Sequence, residues 1–197
     1  ALPEEFHDAK SDLRPRLWSR SYLEHVRLDQ RRSGGQALEI PAQPVADDLE
    51  VVLVFDFPES VRTISQEDLD DWGTTFYEAL EIARDNLLTS DFSYAAIGKS
   101  LYASLTSDSY DSSRLLLVDA IRSLEVAGDH IAMAPNRDTL LITGSDDEEG
   151  LGMMLDIAER TLEEQARPMS AAILRLEGEQ WSDWRLAEEH PYFVKAH

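Results

Sequence analysis

Apolar positions along the chain fall into two periods, and the switch from one to the other marks out the elements. VVLVF at 51–55 is an unbroken run of β-forming residues, the signature of a strand covered on both faces. A turn around Pro58 follows, and the chain returns over 61–64. Ser65 with Asp68 three residues later predicts a capped helix running to about Trp72, where Gly73 breaks it. Thr75 and Glu78 repeat that capping pattern. Phe76, Leu80, Ala83 and Leu87 then recur at helical spacing, which predicts a helix over 75–88.

Upstream, Leu13, Leu17, Trp18, Tyr22, Val26 and Leu28 among arginines predict a helix over 15–32 with Pro15 in its first turn. Ser33, Gly34 and Gly35 stop it, and Pro41 and Pro44 mark the stretch to Leu49 as a loop or an irregular edge segment. Downstream, residues 89–113 turn to Ser, Asp and Tyr, with an apolar interruption at 95–105 that suits a strand. Asp111 or Ser112 then caps a helix carrying Leu116, Leu117, Ala120, Ile121 and Leu124, although LLLV alone would also fit a strand. Two short apolar runs, 130–134 and 139–143, flank Pro135, Asn136, Arg137 and Asp138, the pattern of a β-hairpin. Ser145 with Glu148 predicts a further helix start. Leu151, Met154, Leu155, Ala158 and Leu162 form its apolar stripe, which Gly150 and Gly152 weaken by about 1 kcal/mol each relative to alanine. Pro168 ends this helix, 171–176 reads as a strand, and Trp181 and Trp184 belong to a last short element.

Strands and helices do not alternate as a doubly wound parallel sheet requires, and a hairpin is present. The pattern therefore predicts an α+β fold, a mainly antiparallel sheet with helices packed on it. At 197 residues this is a single domain, with residues 1–48 as an N-terminal helix and lead-in arm and 49–197 as the core.

Charge changes the picture more than composition does. Asp and Glu number 39 against 18 Lys and Arg, a formal charge of -21, which disfavours nucleic acid and anionic membranes and leaves a basic protein as the partner that electrostatics would favour. The absence of cysteine removes disulfides, thiolate metal sites and cysteine nucleophiles together, in keeping with a cytoplasmic protein. The first residues lack the basic and then apolar pattern of a secretory signal.

Candidate chemistry is sparse. His7, His25, His130, His190 and His197 have no ligand spacing, and no cofactor motif occurs. The acidic pairs Asp47 with Asp48 and Asp70 with Asp71, and the run Asp146 to Glu149, are explained more simply by a loop, a helix exit and a helix N-terminus than by a cation. Ser100 in GKSLY lacks the upstream glycine of a phosphate loop. Two polar groupings remain: Tyr110, Asp111 and Arg114 in SYDSSRLLL, and Asn136, Arg137 and Asp138 in AMAPNRDTLLITG. Each puts an Arg beside an Asp before an apolar run. That arrangement serves equally as a structural ion pair or as an arginine that grips an anion with Asp as base.

In order and spacing, VVLVFDFPESVRTISQEDLDDWG, ARDNL, SYDSSRLLL and AMAPNRDTLLITG resemble the YtpQ-like family of bacterial proteins, a domain of unknown function. The resemblance spans roughly residues 49–144 and implies a bacterial cytoplasmic protein. It supplies no catalytic residues. The expectation from the sequence is thus a non-enzymatic, protein-binding or regulatory module with an acidic surface. The alternative is a small-anion-binding protein or enzyme built on the two Arg and Asp groupings.

Overall fold

The computed structural model describes residues 1–32, 38–164 and 168–196. The protein is α+β, with antiparallel sheets on which helices pack. Its chain divides into two compact units, Ala1–Pro44 with Leu49–Asp91, and Val45–Asp48 with the residues from Phe92 onward.

The first unit begins with α1 (Phe6–Ala9) and a single 3₁₀ turn, then runs through β1 (Leu13–Ser19), α2 (Arg20–Arg32), β2 (Ala42–Ala46), β3 (Leu49–Phe57), β4 (Ser60–Thr63), α3 (Gln66–Trp72) and α4 (Phe76–Leu88). Its sheet has the order β1, β3, β2, with β4 also on β3. The apolar run 51–55 is buried throughout, as its lack of alternation predicts. Both predicted capping boxes form: Ser65 and Thr75 accept from the backbone N–H groups of Asp68 and Glu78, whose carboxylates accept in return. Gly73 ends α3 at a φ of 64°, the left-handed position glycine adopts without strain. Asn86 on α4 donates to the carbonyls of Lys10 and Leu13 at 2.7 and 3.0 Å, tying the helix to the start of β1.

The helix expected from Pro15 is in fact a strand followed by a helix. Leu13, Pro15, Leu17 and Ser19 turn inward while Arg14, Arg16 and Trp18 lie half-buried between them, a period of two. β1 is an edge strand, where a proline without N–H is tolerated. Residues 42–46, expected as a loop or an irregular edge segment, form β2 at another edge of the sheet. Propensity missed β1 because pairing with β3 decides it.

The second unit contains β5 (Ala95–Ile97), β6 (Leu101–Ser104), a 3₁₀ turn (Ser112–Leu116), α5 (Val118–Arg122), β7 (His130–Asn136), β8 (Thr139–Gly144), α6 (Glu148–Glu164), β9 (Leu174–Glu177), β10 (Gln180–Asp183) and α7 (Phe193–Ala196). Its six strands run in the order β10, β9, β7, β8, β6, β5. Leu151, Met154 and Leu155 of α6 bury against Leu101, Ile131, Met133 and Leu141 of the sheet. The two glycines of α6 are close-packing residues. A Cβ on Gly150 would lie 2.0 Å from Thr143 Oγ1 and 2.3 Å from the Ser100 carbonyl, and one on Gly152 would lie 2.6 Å from the Tyr192 hydroxyl. Helix propensity lost there is exchanged for close approach of the helix to strand and tail.

Four further expectations need correction. The helix expected over 112–124 is a 3₁₀ turn and a separate five-residue helix, because Asp111 does not cap it. Ser145 does not cap α6 either: its hydroxyl accepts from Asp129 N–H, and the Asp147 carboxylate accepts from Gly150 N–H at 2.8 Å instead. The apolar interruption at 95–105 is two strands, and the strand expected at 171–176 runs from Leu174 to Glu177. Among the described residues no helix is long and apolar enough to cross a membrane.

Candidate functional site

The segment 104–114 is where the second unit concentrates its polar groups. β6 ends at Ser104, and the chain must then reverse into the 3₁₀ turn at Ser112. It does so with Ser107 and Ser109 at φ values of 56° and 73°, left-handed positions that cost a serine about 1–3 kcal/mol each. The Asp111 carboxylate shows what holds them there. Its Oδ1 accepts from Ser104 Oγ at 2.7 Å, Thr106 Oγ1 at 2.8 Å and Thr106 N–H at 2.7 Å, and its Oδ2 accepts from Ser107 N–H at 2.7 Å. One buried anion therefore organises the whole loop, each bond being charge-assisted.

Arg114 closes the arrangement. Its side chain is completely withdrawn from solvent, and Nη1 donates to Asp108 Oδ1 and Thr106 Oγ1, both at 3.1 Å, and to Asp111 Oδ1 at 3.4 Å. Nη2 donates to Asp108 Oδ2 at 2.5 Å, so the Arg114 to Asp108 pair is bidentate. The guanidinium lies 4.4 Å from the Phe92 ring centroid, a cation–π contact, and the Arg114 carbonyl accepts from the Tyr94 hydroxyl. Burial works to raise the Asp108 pKa, but bonds from Arg114 and the Tyr110 N–H outweigh it and hold the carboxyl below its ordinary value. Burial pushes the Tyr94 hydroxyl well above its ordinary range, so this phenol stays protonated.

PNRD is built differently. β7 and β8 pair in register from His130 opposite Gly144 to Met133 opposite Leu141, then slip by a bulge at Ala134 and Pro135 before Asn136 meets Thr139. The turn is thus Arg137 and Asp138 alone, tighter than the four residues expected. Asn136 is buried, and its Oδ1 accepts from Asp138 N–H at 3.0 Å, the Asx geometry that turns a chain. Arg137 keeps 47% of its side chain exposed and, among the described residues, reaches Asp138 Oδ1 at 3.4 Å.

The structure brings the two groupings together through the backbone: Ser112 N–H donates to the Arg137 carbonyl at 3.0 Å. Tyr110, Asp111 and Arg114 are buried, while the Arg137 head group faces solvent. Sequence reasoning missed Asp108, Thr106, Ser104 and Phe92. Asp108, Asp111 and Arg114 do stand three residues apart in TSDSYDSSR, a spacing that could have flagged them.

The acidic groups weighed as cation sites take up local roles. Asp48 Oδ2 accepts from Ser170 Oγ at 2.5 Å. Asp183 is pushed above its ordinary pKa by burial first and by the charges of Asp47 and Asp48 next. Asp70 accepts from Gln66, and Asp147 caps α6. Among the described residues no three His, Asp or Glu side chains converge in a way that would hold a metal ion.

The fold and this polar knot define an α+β protein with a closed, charge-paired loop anchor. No protein-family model matches the chain, and neither the curated proteins nor the solved structures contain a match to it.

Proposed function

We propose that the chain is a non-enzymatic, protein-binding or regulatory module that engages a basic protein partner through its acidic surface. The observation that carries this is the charge balance. Of the few cations, Arg20, Arg62, Arg84, Arg122, Arg175 and Lys195 already face a carboxylate of the same chain, so the excess behind the net charge of -21 stays uncompensated. A field of that sign steers basic surfaces inward and repels phosphate backbones.

The competing reading, an anion site made by Arg114 and Arg137 with Asp111 and Asp138, draws no support from an Arg114 guanidinium that has no exposed surface and donates to Asp108, Thr106 and Asp111. A bacterial, cytoplasmic setting and kinship with the YtpQ-like family belong to the same proposal, and rest on the resemblance over residues 49–144. The test is capture from a lysate of the source on immobilised protein at low salt, followed by a salt gradient. A basic protein released as the salt rises, and bound again when purified, is the expected result. Retention of acidic proteins only, or of nothing that salt releases, would sink the electrostatic docking.

A further inference from the structure

α2 differs in charge from the rest of the molecule. It sets Arg20, Arg27, Arg31 and Arg32 against Glu24 and Asp29 alone, so it is a locally basic helix in a chain of net charge -21. Its last two turns line an open cleft of about 520 Å³ within the first unit, together with Phe76 and Tyr77 of α4 and the segment around Glu39 and Ile40. That volume falls within the range of small-molecule sites, about 300–1,000 Å³.

Three features of the lining have no structural use. Arg27 is occupied, with Nη1 on Glu24 at 2.7 Å and Nη2 on the Ile40 carbonyl at 3.4 Å, but Arg31 has no carboxylate partner among the described residues. Gln30 Oε1 is buried and accepts no hydrogen bond from the described residues, which leaves a desolvated acceptor lacking a donor. Tyr77 is 68% exposed, held edge-on to Phe76 with ring centroids 5.8 Å apart, an aromatic wall that packs little else.

We infer that this cleft is a binding site for a small aromatic carboxylic acid carrying an N–H donor. The carboxylate would lie on the Arg31 fork, the ring on Tyr77 and Phe76, and the N–H on Gln30 Oε1. The overall negative field opposes an anionic ligand but is screened beyond about 8 Å at physiological ionic strength, and within the cleft Glu39 and the Arg27 to Glu24 pair offset part of the positive charge, which leaves Arg31 as the cation for the carboxylate. The site is separate from the Arg114 knot and independent of any protein partner.

Indole-3-acetate presents all three groups and serves as the probe. Titrated into the ¹⁵N-labelled full chain, it is expected to shift the amides of Arg27 to Arg32 and of Phe76 and Tyr77 in a saturable way. Arg31→Ala and Tyr77→Ala should each weaken binding by about tenfold or more with the remaining spectrum unchanged, as both side chains are exposed, and indole lacking the carboxylate should bind correspondingly more weakly. Absence of saturable shifts, shifts clustered away from α2 and α4, or an Arg31→Ala variant that binds as well as the wild type would overturn the assignment.

Discussion

SYDSSR and PNRD look alike as sequence and end as opposites. Both set an Arg beside an Asp ahead of an apolar run, yet Arg114 is buried in a bidentate ion pair and Arg137 waves at the tip of a two-residue turn. The difference lies in what precedes each. Before Asp111 come Ser104, Thr106 and Ser107, which supply hydroxyl and backbone donors enough to satisfy a desolvated carboxylate. Before Arg137 comes a strand that pairs with β8 as far as Met133 and then bulges, and the turn is shaped by Asn136 accepting from Asp138 N–H. An Arg and Asp pair is therefore drawn inside only where neighbours can meet the cost of desolvating it.

The contrast can be tested by substitution, starting where the effect should be greatest. Arg114→Ala leaves Asp111 buried without its cation, and unfolding in urea should show a loss of about 3–5 kcal/mol. Next comes the acid limb. The Asp108 carboxyl is held below its ordinary pKa, so the stability it contributes is present above the ordinary carboxylate range and lost as pH falls through the depressed value. Asp108→Asn should flatten that limb in melts recorded between neutral and strongly acid pH, and a limb of unchanged slope would detach Asp108 from the knot. Asn136→Ala removes the acceptor for Asp138 N–H and should cost about 1 kcal/mol by denaturant midpoint at constant slope. Ser107→Gly keeps the N–H that Asp111 accepts while relieving a positive φ, and a gain of about 0.5 kcal/mol in Tm analysis is expected. Arg137→Ala should change stability by less than about 0.5 kcal/mol, the effect of an exposed pair. Should Arg137→Ala prove as damaging as Arg114→Ala, the two segments would not differ in the way described.

What the sequence disclosed follows the same division between local and distant causes. Capping boxes at Ser65 and Thr75, the buried run 51–55 and the hairpin of 130–144 depend on residues within a few positions of one another, and all were legible. β1 was not, because Leu13–Ser19 pairs with a strand some thirty-six positions downstream, Leu13 opposite Phe55 and Ser19 opposite Leu49, and nothing in LRPRLWS announces that partner. Tyr110, Asp111 and Arg114 were visible as a polar grouping, but the partners of Arg114 were not: Phe92 and Asp108 come close to it only in the folded loop. The close packing at Gly150 and Gly152 was hidden for the same reason, since the strand and tail that press against them lie elsewhere in the chain.

α2 has one further consequence. Of its thirteen residues only Leu23 is buried, whereas β3 buries six of its nine. The free energy that protects an amide from solvent deuterium depends on how much packing must be undone to expose it. Amides of α2 will therefore exchange through small local openings while those of β3 wait for global unfolding. The helix that walls the cleft is the part of the first unit with most protection to gain from an occupant.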